Sequence, residues 1–200
     1  MKSTLHPLTR LFIFLAVLIL PVSSVSAAGI TGTKVGLVLD SPIDDGAWGQ
    51  MAYEGLLHAQ TDFGITPSVY LAIDPVTPAE AFDACAAAGN VLCIAVGYSL
   101  NNPVYNAASA HPSISYAIVD VDVPDDAPTN LRGVRFVEKE VGYLAGVLAA
   151  KMTTSHEVGV IGGIPVPAVV AFTTGYRNGA QCTDDAVNVM EEYSYDFGNP

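Results

Sequence analysis

Short apolar runs alternate with longer segments of helical character along most of the chain. Val35–Leu39, Pro67–Ile73, Val91–Val96 and Ser115–Val119 are brief and rich in β-branched residues, and they lack the polar alternation of a half-exposed strand. Such runs suit strands covered by helices on both faces. Between them lie predicted helices at Trp48–Phe63, closed by Gly64, at Pro78–Ala88, closed by Gly89-Asn90, and at Val104–Ala110. Leu131–Phe136 reads as a fifth strand and Glu138–Met152 as a long helix. This β-α-β-α order predicts an α/β fold built on a doubly wound parallel sheet with right-handed crossovers.

After the polar break Thr153–Glu157 the pattern restarts, with a strand at Val158–Ile161 and a helix at Ala168–Gln181. The chain thus divides into residues 29–153, a first α/β lobe, and 157–200, the start of a second lobe with one strand and one helix. Such a layer is too small to bury a core of its own, and the second lobe reads as incomplete. Gly142 and Gly146 lie four apart on one face of the Glu138–Met152 helix, and the expectation is close packing of that helix on the sheet.

The first residues carry a different signal. Lys2 and Arg10 precede an apolar core, Leu11–Leu20, and Val25-Ser26-Ala27 supplies small residues. This is the layout of a cleaved export signal over residues 1–28, with no lipobox cysteine beside it. The formal charge of −12 becomes −14 once Lys2 and Arg10 leave. So acidic a chain repels phosphate backbones, which argues against a nucleic-acid partner. For Cys85, Cys93 and Cys182 the expectation is buried free thiols, with a Cys85–Cys93 disulfide as the alternative that export permits.

Candidate chemistry collects at the predicted carboxyl ends of the strands, where open α/β sheets bind ligands. The turn after the first strand carries Asp40, Asp44 and Asp45 and then Trp48, the single tryptophan. Carboxylates accept from hydroxyl groups and an indole offers a stacking face, which points to capture of a polar, ring-containing solute. Asp45 is equally placed to cap the following helix. Gly97 and Tyr98 follow the third strand and Asp120 the fourth, on the same edge. Asp122, Asp125 and Asp126 form a solvated acidic loop without the spacing of a calcium loop. His58, His111 and His156 have no paired metal spacing, and no catalytic motif is found. No cofactor is expected.

Three stretches resemble the basic membrane protein (BMP), or PnrA-like, family of ABC transporter substrate-binding proteins. They are V-G-L-V-L-D-S-P-I-D-D-G-A-W-G-Q-M-A-Y-E-G-L, then Y-A-I-V-D with R-F-V-E-K-E-V-G-Y-L-A-G-V-L-A-A-K-M-T, and finally V-G-V-I-G-G-I-P-V-P-A-V-V-A-F-T-T-G-Y-R-N-G-A. The resemblance implies a type I periplasmic-binding-protein fold, with two lobes closing on a nucleoside or similar solute that is passed to a membrane permease. It implies an exported protein working at the plasma membrane, not an enzyme. By position, Trp48 would stack on the ligand beside Asp45 and Gly49. Gly97, Tyr98 and Asp120 would line the first lobe, and Phe172 would be the aromatic of the second. Gly49 stands where the family pattern has Asn, which removes one side-chain contact. Two alternatives keep the same cleft: an extracellular ligand sensor, and a nucleoside hydrolase using Asp40 and Asp44.

Overall fold

The computed structural model describes residues 29–74 and 76–197; the predicted export signal lies outside them. Among the described residues, no helix is long and apolar enough to cross a membrane. Five strands, β1 (Lys34–Leu39), β2 (Thr66–Leu71), β3 (Leu92–Val96), β4 (Ser115–Val119) and β5 (Leu131–Val134), form one parallel sheet in the order β2-β1-β3-β4-β5. The connecting helices are α1 (Trp48–Phe63), α2 (Pro78–Ala87) and α3 (Asn101–Ala110), the last entered through a single 3-10 turn at Tyr98–Leu100.

The absence of alternation along β1 follows from burial on both faces. Val35, Leu37 and Leu39 pack with Leu56 of α1 and Val96, while Val38 turns the other way, toward Phe82 and Cys85 of α2, Leu100 of the 3-10 turn and Val104 of α3. Each such side chain, fully buried, contributes about 1.5–3 kcal/mol. Helix ends follow their local chemistry. Gly64 takes the left-handed conformation that closes α1, and Thr77 with Glu80 forms a reciprocal capping box at the start of α2.

The cysteine expectation is corrected. Cys85 and Cys93 are fully buried but joined as a disulfide. The last turn of α2 carries Cys85 over β3, with the two Cα atoms 6.5 Å apart, and neighbouring Gly36 leaves room because any Cβ there would overlap Cys85 Sγ. Cys182 is free and exposed, not buried.

The second part of the chain holds α4 (Glu138–Met152), β6 (Glu157–Gly162), α5 (Pro167–Thr183) and β7 (Asn188–Tyr193), with β6 and β7 parallel. β7 was not anticipated, because Glu191 and Glu192 interrupt its apolar run. Glu191 is held by Arg177 and by the Tyr193 hydroxyl, which donates to Oε1 at 2.8 Å. The expectation for Gly142 and Gly146 is also corrected. They pack on a helix, not on the sheet, and meet a matching pair in α5, Gly175 and Gly179. A Cβ at Gly142 or Gly146 would overlap the carbonyl oxygen of Phe172 or Tyr176, and one at Gly175 or Gly179 that of Lys139 or Tyr143. Backbone therefore touches backbone along the seam. Ala150 of α4 joins Ala180, Val187, Val158 and Val189 in a small core. The packing thus changes partners at Glu138, ahead of the Thr153–Glu157 break that divides the sequence pattern.

Candidate functional site

In the order β2-β1-β3-β4-β5, the chain leaves β1 toward one edge of the sheet and β3 toward the other. The crevice beyond the carboxyl ends of β1 and β3 is the switch point at which open α/β sheets take ligands, and Asp40 and Gly97 stand there. Asp40 Oδ2 accepts a hydrogen bond from Ser99 Oγ at 2.5 Å, tying the turn after β1 to the turn after β3. Gly97 has φ 128°, and a Cβ at this position would overlap the Asp40 carboxylate. Glycine is required there for both reasons.

Asp45 organises the start of α1. Its carboxylate accepts from the backbone N–H groups of Ala47, Gly49 and Gln50 at 2.7, 2.9 and 3.0 Å. These bonds, the one from Gln50 foremost and that from Ala47 next, hold its pKa down at about 2. Asp45 thus serves as the helix cap while also lining the cleft. The sign of the linked stability follows: a lowered pKa stabilises the fold above the unfolded value near 3.8, and that contribution is lost as pH falls toward about 2. The stability difference between the wild-type chain and Asp45→Asn is expected to be largest above pH 4 and to shrink toward pH 2. Urea unfolding at several pH values measures it, and a difference that did not change with pH would rule out the charged cap.

Trp48, the first residue of α1, is half exposed, with 50% of its surface accessible, and Tyr98 is 47% exposed. Both face a cleft of about 670 Å³ shared with Asp40, Ser41, Asp45, Gly97 and Asp120. This size falls within the usual range for small-molecule sites. The opposite wall comes from the N-terminal end of α5, where Val166, Ala168, Val169 and Phe172 line it, and from Phe197 beyond β7. Seven of the eight residues expected to contact a ligand therefore meet in one cleft. Gly49 does not line it. It is buried behind the turn, where a Cβ would overlap the Pro42 carbonyl oxygen and stand 2.8 Å from Asp45 Oδ2; its place is set by the packing of the turn. Asp44 is likewise absent from the lining, so the Asp40–Asp44 pair of the hydrolase alternative is not assembled in the cleft.

Sequence reasoning missed Val166, Val169 and Phe197. The first two were legible in principle, since Val166 and Pro167 open the helix after β6 just as Trp48 opens the helix after β1. Phe197 carried no signal, because the strand that delivers it was itself missed. A smaller hollow of about 420 Å³ lies beneath residues 121–135 and holds none of the expected ligand contacts.

Asp120 has unusual surroundings. Its φ of 60° is left-handed, an uncommon state for a residue with a side chain. Such backbone often accompanies a functional site. Its N–H donates to Val134 O at 2.9 Å, while Oδ1 is buried without a protein partner. Burial, and then the neighbouring Glu138, push its carboxyl above the usual range, against the opposing pull of Arg135. The cleft lining contains three carboxylates and no lysine or arginine. Among the described residues, no cluster of His, Cys, Asp and Glu is arranged to hold a metal ion.

A cleft at the switch point of a doubly wound sheet, closed from the far side by a second α/β unit, defines the type I periplasmic-binding-protein class. Two solved solute-binding proteins of ABC transporter systems share this fold. One is from Conexibacter woesei (TM-score 0.63, 23% identity, 84% of this chain and 56% of that one). The other is from Aeropyrum pernix (TM-score 0.69, 22% identity, 81% and 47%). Residues 32–200 match the model of the family described as ABC transporter substrate-binding protein PnrA-like, and the chain belongs to that family. Basic membrane protein B of Borrelia garinii subsp. bavariensis is 32% identical over 178 residues, covering 86% of this chain and 52% of the relative. Basic membrane protein A of Borreliella burgdorferi is 26% identical over 196 residues, covering 98% and 58%. The chain thus spans a little over half the length of these relatives.

Proposed function

We propose that this chain captures a nucleoside or similarly sized polar, ring-containing solute outside the membrane and presents it to an ABC permease. The observation that carries this reading is the pairing, in one cleft, of the exposed Trp48 face with the carboxylates of Asp40 and Asp120. The ring offers a stacking surface and the acids accept from hydroxyl and N–H groups. A wall without cationic side chains disfavours phosphorylated or carboxylated ligands, so the reading favours a nucleoside over a nucleotide. The family's substrate-binding description supports capture without turnover. The buried Cys85–Cys93 disulfide supports an exported protein, since such bonds persist in oxidising compartments.

Trp48 also supplies the test, because it is the only tryptophan. Adding a nucleoside to the wild-type chain should change the indole emission, and calorimetry should give the affinity. Trp48→Ala is expected to weaken binding by about 1–3 kcal/mol, the range for base–aromatic stacking. Equal affinity in the two proteins would remove the stacking role. A panel of nucleosides, nucleotides and sugars that all failed to bind would remove the solute class.

A further inference from the structure

Three carboxylates line the cleft, Asp40, Asp45 and Asp120, but they are not equally free to meet a ligand. Asp45 is committed to its own helix: Oδ1 accepts from the N–H groups of Ala47 and Gln50, Oδ2 from that of Gly49, and Ser41 adds a side-chain bond. Asp40 is held differently. Its Oδ2 accepts from Ser99 Oγ at 2.5 Å, the short end of the range for a hydroxyl donor, while Oδ1 takes no hydrogen bond from any described residue. The two partners stand on fixed ground. Leu39, just before Asp40, is fully buried on one face of the sheet, and Leu100, just after Ser99, is fully buried in the core of the other. The turn that carries Ser99 is closed by the bond from Leu100 N–H to Gly97 O at 3.1 Å. Gly97 supplies the remaining room, because the Asp40 carboxyl group lies where a Cβ would stand. Ser99 itself is exposed and does not line the cleft.

We propose that Ser99 is a positioning residue for solute capture: by holding Asp40 Oδ2, it leaves Oδ1 as the fixed acceptor for a hydroxyl or N–H group of the ligand. Both turns are already anchored by Leu39 and Leu100, so the bond adds little to the fold. What it does fix is the rotation of the Asp40 side chain. An unrestrained aspartate samples several rotamers and must give up that freedom when a ligand binds. With one oxygen bonded to Ser99, the side chain is ordered before the ligand arrives. A hydroxyl is needed at position 99 for this, and the exposed setting leaves room for the extra methyl of threonine.

This inference rests on the cleft being the solute site, and its experiment has two arms that can fail separately. In the first, without ligand, three-bond couplings to Asp40 Cγ are measured by NMR in the whole chain, the signal identified by its loss in Asp40→Asn. One rotamer is expected in the wild type and in Ser99→Thr, and averaging over several in Ser99→Ala. A single rotamer that survives in Ser99→Ala overturns the proposal. In the second, adenosine binding is followed by calorimetry. Ser99→Ala is expected to weaken it about two- to tenfold, the cost of ordering one side chain on binding. Ser99→Thr, which keeps the hydroxyl, is expected to recover most of the loss. Unchanged affinity in Ser99→Ala, or an equal loss in Ser99→Thr, overturns the proposal and leaves the bond a tie between two turns. Failure of adenosine and the rest of the nucleoside panel to bind the wild type overturns the nucleoside reading and with it capture through Asp40, while the couplings still decide whether Ser99 fixes that side chain.

Discussion

Replacing Cys85 and Cys93 together by alanine is expected to cost about 2.5 kcal/mol, the chain-entropy value for so short a loop. The two residues are 8 apart in sequence and join the end of α2 to β3 at the centre of the larger core. Their loss also removes two fully buried sulfur atoms from a site where Gly36 provides the room. The surrounding core can collapse only partly, so a cavity cost adds to the entropic one. For a chain of this size, the midpoint of thermal unfolding should fall by roughly 5–10 °C. Reductant should reproduce most of the loss in the wild-type protein and none in the double mutant. Cys182→Ala, at an exposed position, should change stability by no more than about 0.5 kcal/mol. A wild-type midpoint indifferent to reductant would show that the bond contributes nothing to stability.

The second large effect is expected at the α4–α5 seam. Gly146→Val should destabilise by about 3 kcal/mol or more, because the first added atom overlaps the Tyr176 carbonyl and lies 2.9 Å from Ala180 N. No rotamer relieves such an overlap, since the Cβ position is fixed by the backbone. The helices must separate, and the core of Ala150, Ala180 and Val187 opens with them. Gly55→Ala is the control. A Cβ there meets nothing within 4 Å, and alanine in a helix interior is better than glycine by about 0.5–1 kcal/mol. Chemical unfolding of the two variants should therefore give shifts of opposite sign. Comparable small effects at both positions would mean that the seam does not hold the helices together.

Most of the fold was legible in the sequence because the strands of the first sheet are buried on both faces. Their apolar runs and the glycines that end the helices are local signals, and α1, β4 and α4 begin and end where the pattern places them. What was not legible depended on distant partners. β7 looks polar until Arg177 and Tyr193 are brought to Glu191. The spacing of Gly142 and Gly146 shows that something approaches closely, but only the matching glycines of α5 show what it is. The cysteine pairing depends on the angle at which α2 crosses β3. In the cleft, Asp40, Gly97 and Asp120 were readable because each directly follows a strand. Gly49 was misplaced because adjacency to Trp48 in sequence does not fix the direction in which a helix's first turn faces.

Packed helices usually slide past one another by exchanging side-chain rotamers, and this is how shear motions are accommodated. The α4–α5 seam has no such layer to exchange, because its glycines put one main chain against the other. A change in the width of the cleft that leaves this seam intact would carry α4, α5 and Phe172 together as one lever, with bond rotations that include the residues between Val134 and Glu138. That stretch holds Arg135, which joins Glu138 of α4 to Asp122, so these contacts would be disturbed by a change in how far the cleft opens.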